Sequence, residues 1–527
     1  IEAGRTGFEK GSDKAEIKLA PKKKGAYQLC LSLGDQSMVK QFIVVTDMED
    51  RKEVKDSPFA MDALPYGMAN DINSGLSEDY SDLIALSGVK WVRDRVYFDP
   101  YVSKNGSQWS FTMPHTAITS NILAKLGVNV SMAMDWMPAA LRTGCYGKVI
   151  PTNLFDVYDF WKQISEKYDG QVNCWEIGNE YDLGGAASNL DGADTYASMF
   201  KAAALGIMDS NTQNEVYVSP FGCAGNALHS GQFSSLMYEN EIYNYTDIVN
   251  FHDHTGAVKD YKNYYKGANQ ILGHIGLQEK YNASVINWDG ESGISLDVPQ
   301  TSDYTAEEQM VQAKFLVTSF VEDISKGTDK KFFFDGINFQ EGGKAWGMTS
   351  RGKVSPSAYA AWATLSGMTY VLGEGNYVNK IKDIPEDIAA YLFTDGDDSI
   401  IVFYSTREDY EKVPVSFNVG YNEATVYDIF ANEKQVSSDN GVYSFSVDGE
   451  PMYLKVKGKI TTDIISDENV REQRKLPDTQ KNVSDADRVV LLQQYETAQR
   501  NGARLNGYQL SEDVNKVKVA VYNFNDH

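Results

Sequence analysis

Short apolar runs alternate with longer amphipathic stretches from about residue 58 to residue 372. Such alternation is typical of repeated strand–helix units, in which helices cover a parallel sheet. Strands are predicted at residues 66–70, 91–96, 128–134, 174–177, 215–218, 248–252, 284–288 and 332–338. Helices are predicted between them, for example at residues 80–86, 153–168 and 193–208. Eight such units predict a central (β/α)8 TIM barrel.

Alternation with period two, which indicates β-strands, occurs on both sides of the barrel. Residues 1–57 contain three such stretches and are predicted to form a β-sandwich-like domain that ends in a charged linker. Residues 373–459 are predicted to form a second β-sandwich, with a hairpin turn at residues 395–398. Residues 460–527 are predicted to be a linker and the first strands of a further β-domain.

Composition and charge exclude several classes of function. The formal net charge of −24 argues against nucleic-acid binding, because the phosphates would be repelled. The four cysteines have spacings that fit neither a zinc site nor a disulfide framework. No apolar run reaches the roughly 18 residues that a membrane span needs. The sequence begins at Ile1 without a visible signal peptide, so we expect a mature or trimmed product.

Two apolar runs end abruptly in a glutamate. Residues 175–180 read Trp-Glu-Ile-Gly-Asn-Glu, and residues 287–293 read Asn-Trp-Asp-Gly-Glu-Ser-Gly. Glu180 and Glu291 lie 291 − 180 = 111 residues apart, about three strand–helix units, which places both at the same mouth of a barrel. Glycoside hydrolysis needs such a pair, since one carboxyl group protonates the leaving oxygen and the other attacks the sugar. The competing interpretation is that each is an ordinary glutamate in a surface loop.

Two further acids compete for these roles. Glu176 and Asp289 lie in the same motifs. In an extended strand the side chains of Asp289 and Glu291 share a face, so alternation alone does not choose between them. The glycines around Glu291 mark the strand end and favour Glu291. A separation of about 5–5.5 Å between the carboxyl groups would give a retaining mechanism, and about 6.5–9.5 Å an inverting one.

An asparagine–glutamate pair at strand four and a glutamate at strand seven form the pattern of clan A glycoside hydrolases. Over residues 58–372 the sequence resembles that clan and is similar to families 39 and 5. The resemblance implies that Glu180 is the acid/base, that Glu291 is the nucleophile and that Asn179 holds the sugar 2-hydroxyl. It also implies an arginine near the end of strand two that contacts the nucleophile, for which Arg93 fits better than Arg95.

The sixth predicted strand leads into Phe-His-Asp-His at residues 251–254. The clan commonly has a histidine here and, two positions later, a tyrosine that orients the nucleophile. This sequence has His254 in place of that tyrosine, and we interpret His252 and His254 as hydrogen-bonding residues of the sugar site. Alternating histidines could bind a metal, but no third ligand with fitting spacing is evident, so neither a metal nor a cofactor is predicted.

Other residues at predicted strand ends are candidates for the sugar pocket. They are Asp135 and Trp136 after strand three, Asn70 at the end of strand one, Trp288 before the nucleophile and Trp346 in the loop after strand eight. For each of them, ordinary packing is the competing interpretation.

The sequence therefore predicts a retaining glycoside hydrolase that acts on O-glycosidic bonds of a polysaccharide or oligosaccharide. The flanking β-domains favour a secreted, periplasmic or cell-surface location. The alternative from another class is a non-catalytic carbohydrate-binding or scaffold protein that keeps the barrel. The presence of both glutamates, Asn179 and an arginine on strand two favours the enzyme, since a binding protein would be expected to have lost at least one of them.

Overall fold

The computed structural model describes most of the chain. The described residues are 18–63, 76–97, 101–112, 114–141, 151, 153–183, 191–223, 232–257, 269–298, 303–337, 339–341, 343–350, 357–409, 411–434, 436–460, 462–467, 473–478, 504–509 and 518–522. Within them lies a parallel sheet of eight strands flanked by antiparallel sheets, which confirms the predicted TIM barrel with flanking β-structure.

The barrel strands pair in parallel with their neighbours. In chain order they are β1 Phe59–Asp62, β2 Trp91–Tyr97, β3 Asn129–Trp136, β4 Cys174–Ile177, β5 Tyr217–Pro220, β6 Ile248–His252, β7 Ile286–Ser292 and β8 Lys330–Phe334. Pairing runs from β1 to β5 in one direction and from β1 through β8 to β6 in the other. Residues just after β5 close the barrel, because the Cys223 carbonyl accepts from the His252 N–H at 2.8 Å and the Cys223 N–H donates to the Asn250 carbonyl at 3.2 Å.

Each barrel strand is followed by a helix. The helices are α1 Leu76–Ser87, α2 Pro114–Lys125, α3 Leu154–Lys167, α4 Asp191–Met208, α5 Gln232–Glu239, α6 Asn269–Tyr281, α7 Ala306–Ser325 and α8 Ala360–Leu372. Helix α7 begins at a capping box, in which the Thr305 hydroxyl accepts from the Glu308 N–H and the Glu308 carboxylate accepts from the Thr305 N–H. In the part of the chain that the structure describes, no helix is long and apolar enough to cross a membrane.

The first barrel strand differs from the prediction. The predicted strand at residues 66–70, with Asn70, lies outside the described residues, and β1 fills the first position of the barrel. All four residues of β1 are buried between β8 and β2. The prediction is wrong because a buried four-residue strand is too short to show alternation. The other seven predicted strands overlap β2 to β8.

Antiparallel sheets lie on both sides of the barrel in the sequence. Gly25–Leu33 pairs with Gln36–Val44 before it, and Val413–Asn418 pairs with Val442–Val447 after it. A six-stranded sheet lies beside the latter pair, in the order Asn376–Lys380, Ile388–Asp395, Asp398–Ser405, Met452–Lys457, Thr425–Tyr427 and Glu433–Lys434. Apolar side chains from both sheets share a separate core, which makes this a β-sandwich. The domain boundaries at residues 57, 372 and 459 stay predictions.

Short elements complete the described structure. The paired strands are Val102–Asn105 with Gln108–Phe111, Thr255–Ala257 with Ile294–Ser295, Gln340–Glu341 with Lys344–Ala345, and Arg504–Gln509 with Lys518–Tyr522. The 3-10 helices are Met48–Asp50, Ile242–Asn244 and Thr462–Ile464. The second and third strand pairs extend the loops after β6, β7 and β8, on the side of the barrel where those strands end.

Aromatic rings fill the barrel at the amino ends of its strands. The ring centroids of Trp91 and Trp288 lie 5.1 Å apart, and Phe332 lies 5.3 Å from Trp288. Ala60, Cys174 and the isoleucines that begin β6 and β7 belong to the same buried cluster. We call this cluster the lower aromatic layer. Active sites of TIM barrels lie at the opposite mouth, where the strands end, so catalytic side chains are expected there.

A segment distant in sequence, residues 473–478, crosses the lower aromatic layer. The Arg474 guanidinium binds the Asp329 carboxylate at 3.0 Å, and the Pro477 carbonyl accepts from the Tyr217 hydroxyl at 3.0 Å. Leu476 packs against the layer itself. The segment therefore covers the end of the barrel that lies away from the strands' carboxyl ends.

We expect Gly206→Ala to destabilise the fold. A Cβ at this position of α4 would lie 2.3 Å from the Tyr158 carbonyl oxygen of α3, so the two helices would have to separate. Overpacking of this kind costs about 1–3 kcal/mol. The matched control is Gly276→Ala in α6, where a Cβ meets no described atom within 4 Å. This substitution should raise the free energy of unfolding by up to about 1 kcal/mol. Denaturant unfolding measures both variants, and equal stabilities would contradict the close helix approach.

Candidate active site

Charged and polar side chains converge where the barrel strands end. They are Asp62 from β1, Arg93 and Arg95 from β2, Glu176 from β4, Asn179 and Glu180 after β4, His252 from β6, His254 after β6 and Glu291 from β7. We call them the mouth cluster. It contains both glutamates of the two sequence motifs.

Arg93 is the centre of the mouth cluster and is fully buried. Its Nε and Nη2 donate to the two oxygens of Glu176, each at 2.7 Å, in bidentate geometry. Nη1 binds Asp62 at 2.9 Å and also Glu291, and Nη2 donates to the Asn179 side-chain oxygen at 2.8 Å. One guanidinium thereby links side chains from β1, β4 and β7, and the contact with Glu291 is the one that the clan resemblance implies.

Arg95 points into the same cluster from two residues further along β2. Its Nη1 binds Asp62 at 2.8 Å and its Nη2 binds Glu291. Its guanidinium carbon lies 5.7 Å from the centre of the Phe334 ring. Both arginines therefore contact the same oxygen of Glu291, whereas the sequence favoured Arg93 alone. Residues i and i+2 of a strand share a face, and that periodicity is the signal for including both.

Glu291 carries a negative charge in a buried place. Burial alone raises the pKa of its carboxyl group, but the positive charges of Arg95, His252 and Arg93 outweigh burial and hold the pKa well below its usual value. The side chain is only 6% exposed, so these charges act through little water. Glu291 is therefore ionised at neutral pH, as a nucleophilic carboxylate must be.

An irregularity in β7 turns Glu291 into the barrel. Consecutive residues of β6 pair with Asp289 and Glu291, so Gly290 is an extra residue, a β-bulge. Asp289 consequently faces away from the barrel interior and binds Lys331 at 3.2 Å, while Glu291 faces the arginines. The expectation that Asp289 and Glu291 share a face is wrong because it assumed regular alternation. A Cβ at position 290 would lie 2.3 Å from the Asn250 side chain, so Asn250 would have to move to admit a larger residue there.

Glu180 occupies a tight turn after β4. Its φ of 48° is left-handed, which is uncommon for a residue other than glycine and is often found at functional sites. Gly178 has a φ of 103°, and a Cβ there would lie 2.5 Å from the Tyr181 ring. The Glu180 side chain is 24% exposed, and one of its oxygens lies within 4.8 Å of an oxygen of Glu291. The two glutamates thus face each other across the mouth, one partly open to solvent and one buried.

Two histidines lie beside the glutamate pair. The Nδ1 of His252 lies 2.9 Å from Oε1 of Glu180, and its Nε2 lies 3.6 Å from Oε1 of Glu291. The Nε2 of His254 lies 3.4 Å from Oε2 of Glu291. Burial lowers the pKa of His252, but the charge of Glu291 and the hydrogen bond to Glu180 outweigh it and raise the pKa above its usual value. Gly222 is required here, because a Cβ would lie 1.9 Å from His252 Nε2.

Trp346 forms part of an aromatic wall beside the mouth cluster. Its ring centroid lies 5.1 Å from that of His254 and 5.5 Å from that of Phe334. Both contacts are edge-to-face, which fixes the orientation of the ring. The position suits a surface on which a sugar packs, and that role stays a prediction.

The other predicted pocket residues lie elsewhere or are not described. Trp288 belongs to the lower aromatic layer and is 1% exposed, which contradicts its predicted contact with substrate. It precedes Glu291 by three residues, about 10 Å along an extended strand, so it lies much deeper in the barrel. Asp135 and Trp136 end β3 at the mouth, but their side chains lie outside the described part of the structure, as does Asn70.

Sequence reasoning missed three buried acids. Asp62 binds both arginines, and Glu176, which the sequence offered only as a competitor of Glu180, holds Arg93. Asp335 follows β8, where burial and the nearby charge of Asp62 raise the pKa of its carboxyl group well above the usual value. Asp62 and Asp335 each follow a short run of apolar residues, which is the same signal that identified Glu291, whereas Glu176 lies inside β4.

Lys331 of β8 holds both flanks of the bulge from outside the barrel. Its Nζ lies 3.2 Å from Asp289 and 2.6 Å from the Ser292 hydroxyl, and it also binds Asp323 of α7. The Ser292 hydroxyl in turn donates to the Asp253 carbonyl at 2.8 Å, in the turn that leads to the second histidine. The ammonium group is fully buried, so it fixes the shape of β7 on both sides of Gly290.

Comparison with known proteins identifies the fold. No protein-family model matches the sequence, and no curated protein is significantly similar to it. Among solved structures, a family 39 glycoside hydrolase from Bacteroides cellulosilyticus superposes with a TM-score of 0.63 at 16% identity, over 82% of this chain and 88% of that chain. A β-porphyranase of family 86 from Bacteroides plebeius gives 0.51 at 12% identity, over 78% and 75%. A family 30 xylanase from Clostridium acetobutylicum gives 0.50 at 11% identity, over 77% and 97%. The resemblance to these TIM-barrel glycosidases is therefore shown at the level of the fold.

We expect Lys331→Met to move Glu291. Without the ammonium group, the two flanks of the bulge lose their common partner, and the Glu291 carboxylate moves away from His252. Because the charge of Glu291 raises the pKa of His252, this pKa should fall towards its usual value. NMR titration of the His252 imidazole in chelator-treated buffer measures the change.

The neighbouring lysine provides the matched control. Lys330 is also buried and also ion-paired, with Asp56 at 2.7 Å, but it lies at the amino end of the barrel, so Lys330→Met should leave the pKa of His252 unchanged. Removing a buried charge partner costs about 3–5 kcal/mol, so Ser292→Ala serves as a milder variant that cuts only the hydroxyl link. An unchanged His252 pKa in folded Lys331→Met would contradict the positioning by Lys331.

Proposed function

We propose that this protein is a retaining glycoside hydrolase that cleaves O-glycosidic bonds in a polysaccharide or oligosaccharide. The observation that carries the proposal is the approach of Glu180 and Glu291, whose nearest carboxylate oxygens lie within 4.8 Å at the mouth of a TIM barrel. Retaining enzymes have carboxyl groups about 5–5.5 Å apart, whereas inverting enzymes leave room for a water between them.

Glu291 is the proposed nucleophile of the first step. Its ionised carboxylate attacks the anomeric carbon, a glycosyl–enzyme ester forms, and the bond to the leaving oxygen breaks. Arg93 and Arg95 both bind Oε1, which leaves Oε2 as the attacking oxygen on the side of His254. The buried arginines are fixed before substrate binds, so little reorganisation is needed during the reaction.

Glu180 is the proposed acid/base. It gives its proton to the leaving oxygen in the first step and takes a proton from water in the second, when that water cleaves the ester. Partial exposure of the Glu180 side chain suits this role, because the water of the second step must reach Glu180 but not Glu291. His252 contacts both glutamates, so its hydrogen bond to Glu180 can respond to the charge of Glu291.

The solved structures with the same fold support the reaction class. The superposed proteins are a glycoside hydrolase of family 39, a β-porphyranase and a xylanase, all of which act on carbohydrate. A crystal of another family 86 protein, with a TM-score of 0.51, contains neoagarooctaose. For this chain we accordingly propose carbohydrate as the substrate and a secreted, periplasmic or cell-surface location.

We expect Glu291→Ala and Glu180→Ala to lose hydrolysis of a panel of aryl glycosides and polysaccharides. Loss of the acid/base should cost about 10²- to 10⁴-fold, and least for aryl leaving groups that need little protonation. Loss of the nucleophile should cost at least as much for every substrate. Azide should restore Glu291→Ala with formation of an inverted glycosyl azide, and Glu180→Ala with formation of a retained one, because the anion replaces a different carboxylate in each.

A surface glutamate is the control for these variants. Glu279 lies exposed on α6, and Glu279→Ala should keep the wild-type rate. Near-full activity of either catalytic variant would refute the site assignment. Absence of hydrolysis by the wild type together with glycan binding would instead support a carbohydrate-binding protein.

A further inference from the structure

The two histidines and Glu291 present three metal-binding atoms on one side of the mouth cluster. One ligand atom from each of Glu180, His252, His254 and Glu291 lies within 4.8 Å of every other. The sequence offered two alternating histidines without a third ligand. The fold supplies the missing ligand, Glu291 of β7, and places Glu180 beside it; both lie more than thirty residues away from the histidines in the sequence.

The nitrogen Nε2 of His252 is the feature that points to a ligand. It is buried and has no hydrogen-bond partner among the described residues, while Nδ1 of the same ring lies 2.9 Å from the Glu180 carboxylate. Histidines that bind metals are usually held in this way, with one nitrogen on a carboxylate and the other on the metal. Glu180 is therefore the orienting partner, and Nε2 is the ligand.

Each histidine nitrogen lies at a distance typical of two zinc ligands from one oxygen of the Glu291 carboxylate, His252 from Oε1 and His254 from Oε2. His252 Nε2 lies 3.6 Å from Oε1 of Glu291, and His254 Nε2 lies 3.4 Å from Oε2 of Glu291. Zinc bonds to nitrogen and oxygen are about 2.0–2.2 Å long, which corresponds to ligand separations of about 3.3–3.6 Å in a tetrahedron. Two histidines and one glutamate leave the fourth position to water.

The charge of the mouth cluster favours a cation. Four carboxyl groups, those of Asp62, Glu176, Glu180 and Glu291, stand against the two guanidinium groups of Arg93 and Arg95, an excess of 4 − 2 = 2 acidic groups. The described contacts of both arginines with Glu291 are to Oε1, so Oε2, the oxygen next to His254, carries none of the arginine contacts. His254 is partly exposed, which gives an ion access from solvent.

We propose that His252, His254 and Glu291 bind a transition-metal ion such as Zn²⁺, and that the bound ion excludes substrate from the mouth. The ion occupies the carboxylate that would attack the sugar, so binding of metal and of carbohydrate is mutually exclusive. His254 is the decisive ligand, because it stands where the clan pattern has a tyrosine. The metal site thus depends on His254, the position at which this sequence departs from the clan pattern.

Calorimetric titration of chelator-treated, dialysed protein with ZnCl₂ tests the proposal. One zinc ion per chain should bind, and His254→Tyr should weaken this binding by at least about 10-fold. The tyrosine keeps an aromatic ring but removes the imidazole nitrogen. Glu291→Gln should weaken binding as well, and Glu279→Ala on α6 should leave it unchanged. Ca²⁺ and Mg²⁺, which prefer oxygen ligands, should give no comparable binding.

The outcome does not depend on the proposed enzymatic function, because calorimetry needs no substrate. If the protein hydrolyses glycosides, Zn²⁺ should raise KM without changing kcat in the wild type and should act only at higher concentration on His254→Tyr. Wild-type zinc affinity in folded His254→Tyr and Glu291→Gln, or no zinc binding at all, would overturn the metal site. An inactive protein that binds zinc as described would overturn only the glycosidase.

Discussion

The buried guanidinium of Arg93 is the interaction on which the geometry of the barrel mouth depends. A buried charge that is shielded from water must be compensated by oppositely charged groups at fixed positions. For Arg93 these groups are the carboxylates of Glu176, Asp62 and Glu291. These partners come from β4, β1 and β7, so the requirement for charge compensation sets the relative positions of strands that are not neighbours. Removal of the guanidinium would leave three buried carboxylates without their common partner. The resulting repulsion would act directly on Glu176 and Glu291.

Glu180 and Glu291 lie in different environments, and their carboxyl groups therefore have different chemical properties. Glu291 is buried, bound by two arginines and directed by a bulge that Lys331 holds from behind. Glu180 is partly exposed and stands on a left-handed turn residue. One carboxylate is therefore kept ionised and immobile, while the other can exchange protons with solvent. This division follows from the backbone of β7 and of the turn after β4 rather than from the two side chains, which are chemically identical.

The sequence predicted the barrel and the glutamate pair because both depend on local pattern. Strand–helix alternation spans many residues, and a glutamate at the end of an apolar run signals the mouth of the barrel. The errors arose where geometry is set by distant contacts. The short strand β1 shows no period, the bulge at Gly290 reverses the facing of Asp289, and Trp288 lies in the lower aromatic layer because of its depth along β7. Asp62 and Lys331 act through contacts with residues that are distant in the sequence, so no local pattern predicts their roles.

The cover over the lower aromatic layer has a consequence for the order in which the protein forms during synthesis. Arg474 follows its partner Asp329 by 145 residues, so the ribosome synthesises all eight barrel strands and every described strand of the β-sandwich before this contact can exist. Until then the cluster that contains Trp91 and Trp288 lacks its contact with Leu476, and exposed apolar surface of this kind favours aggregation. Docking of residues 473–478 therefore comes after synthesis of the whole barrel, and a chain that stops short of these residues would leave the lower aromatic layer without its contact with Leu476.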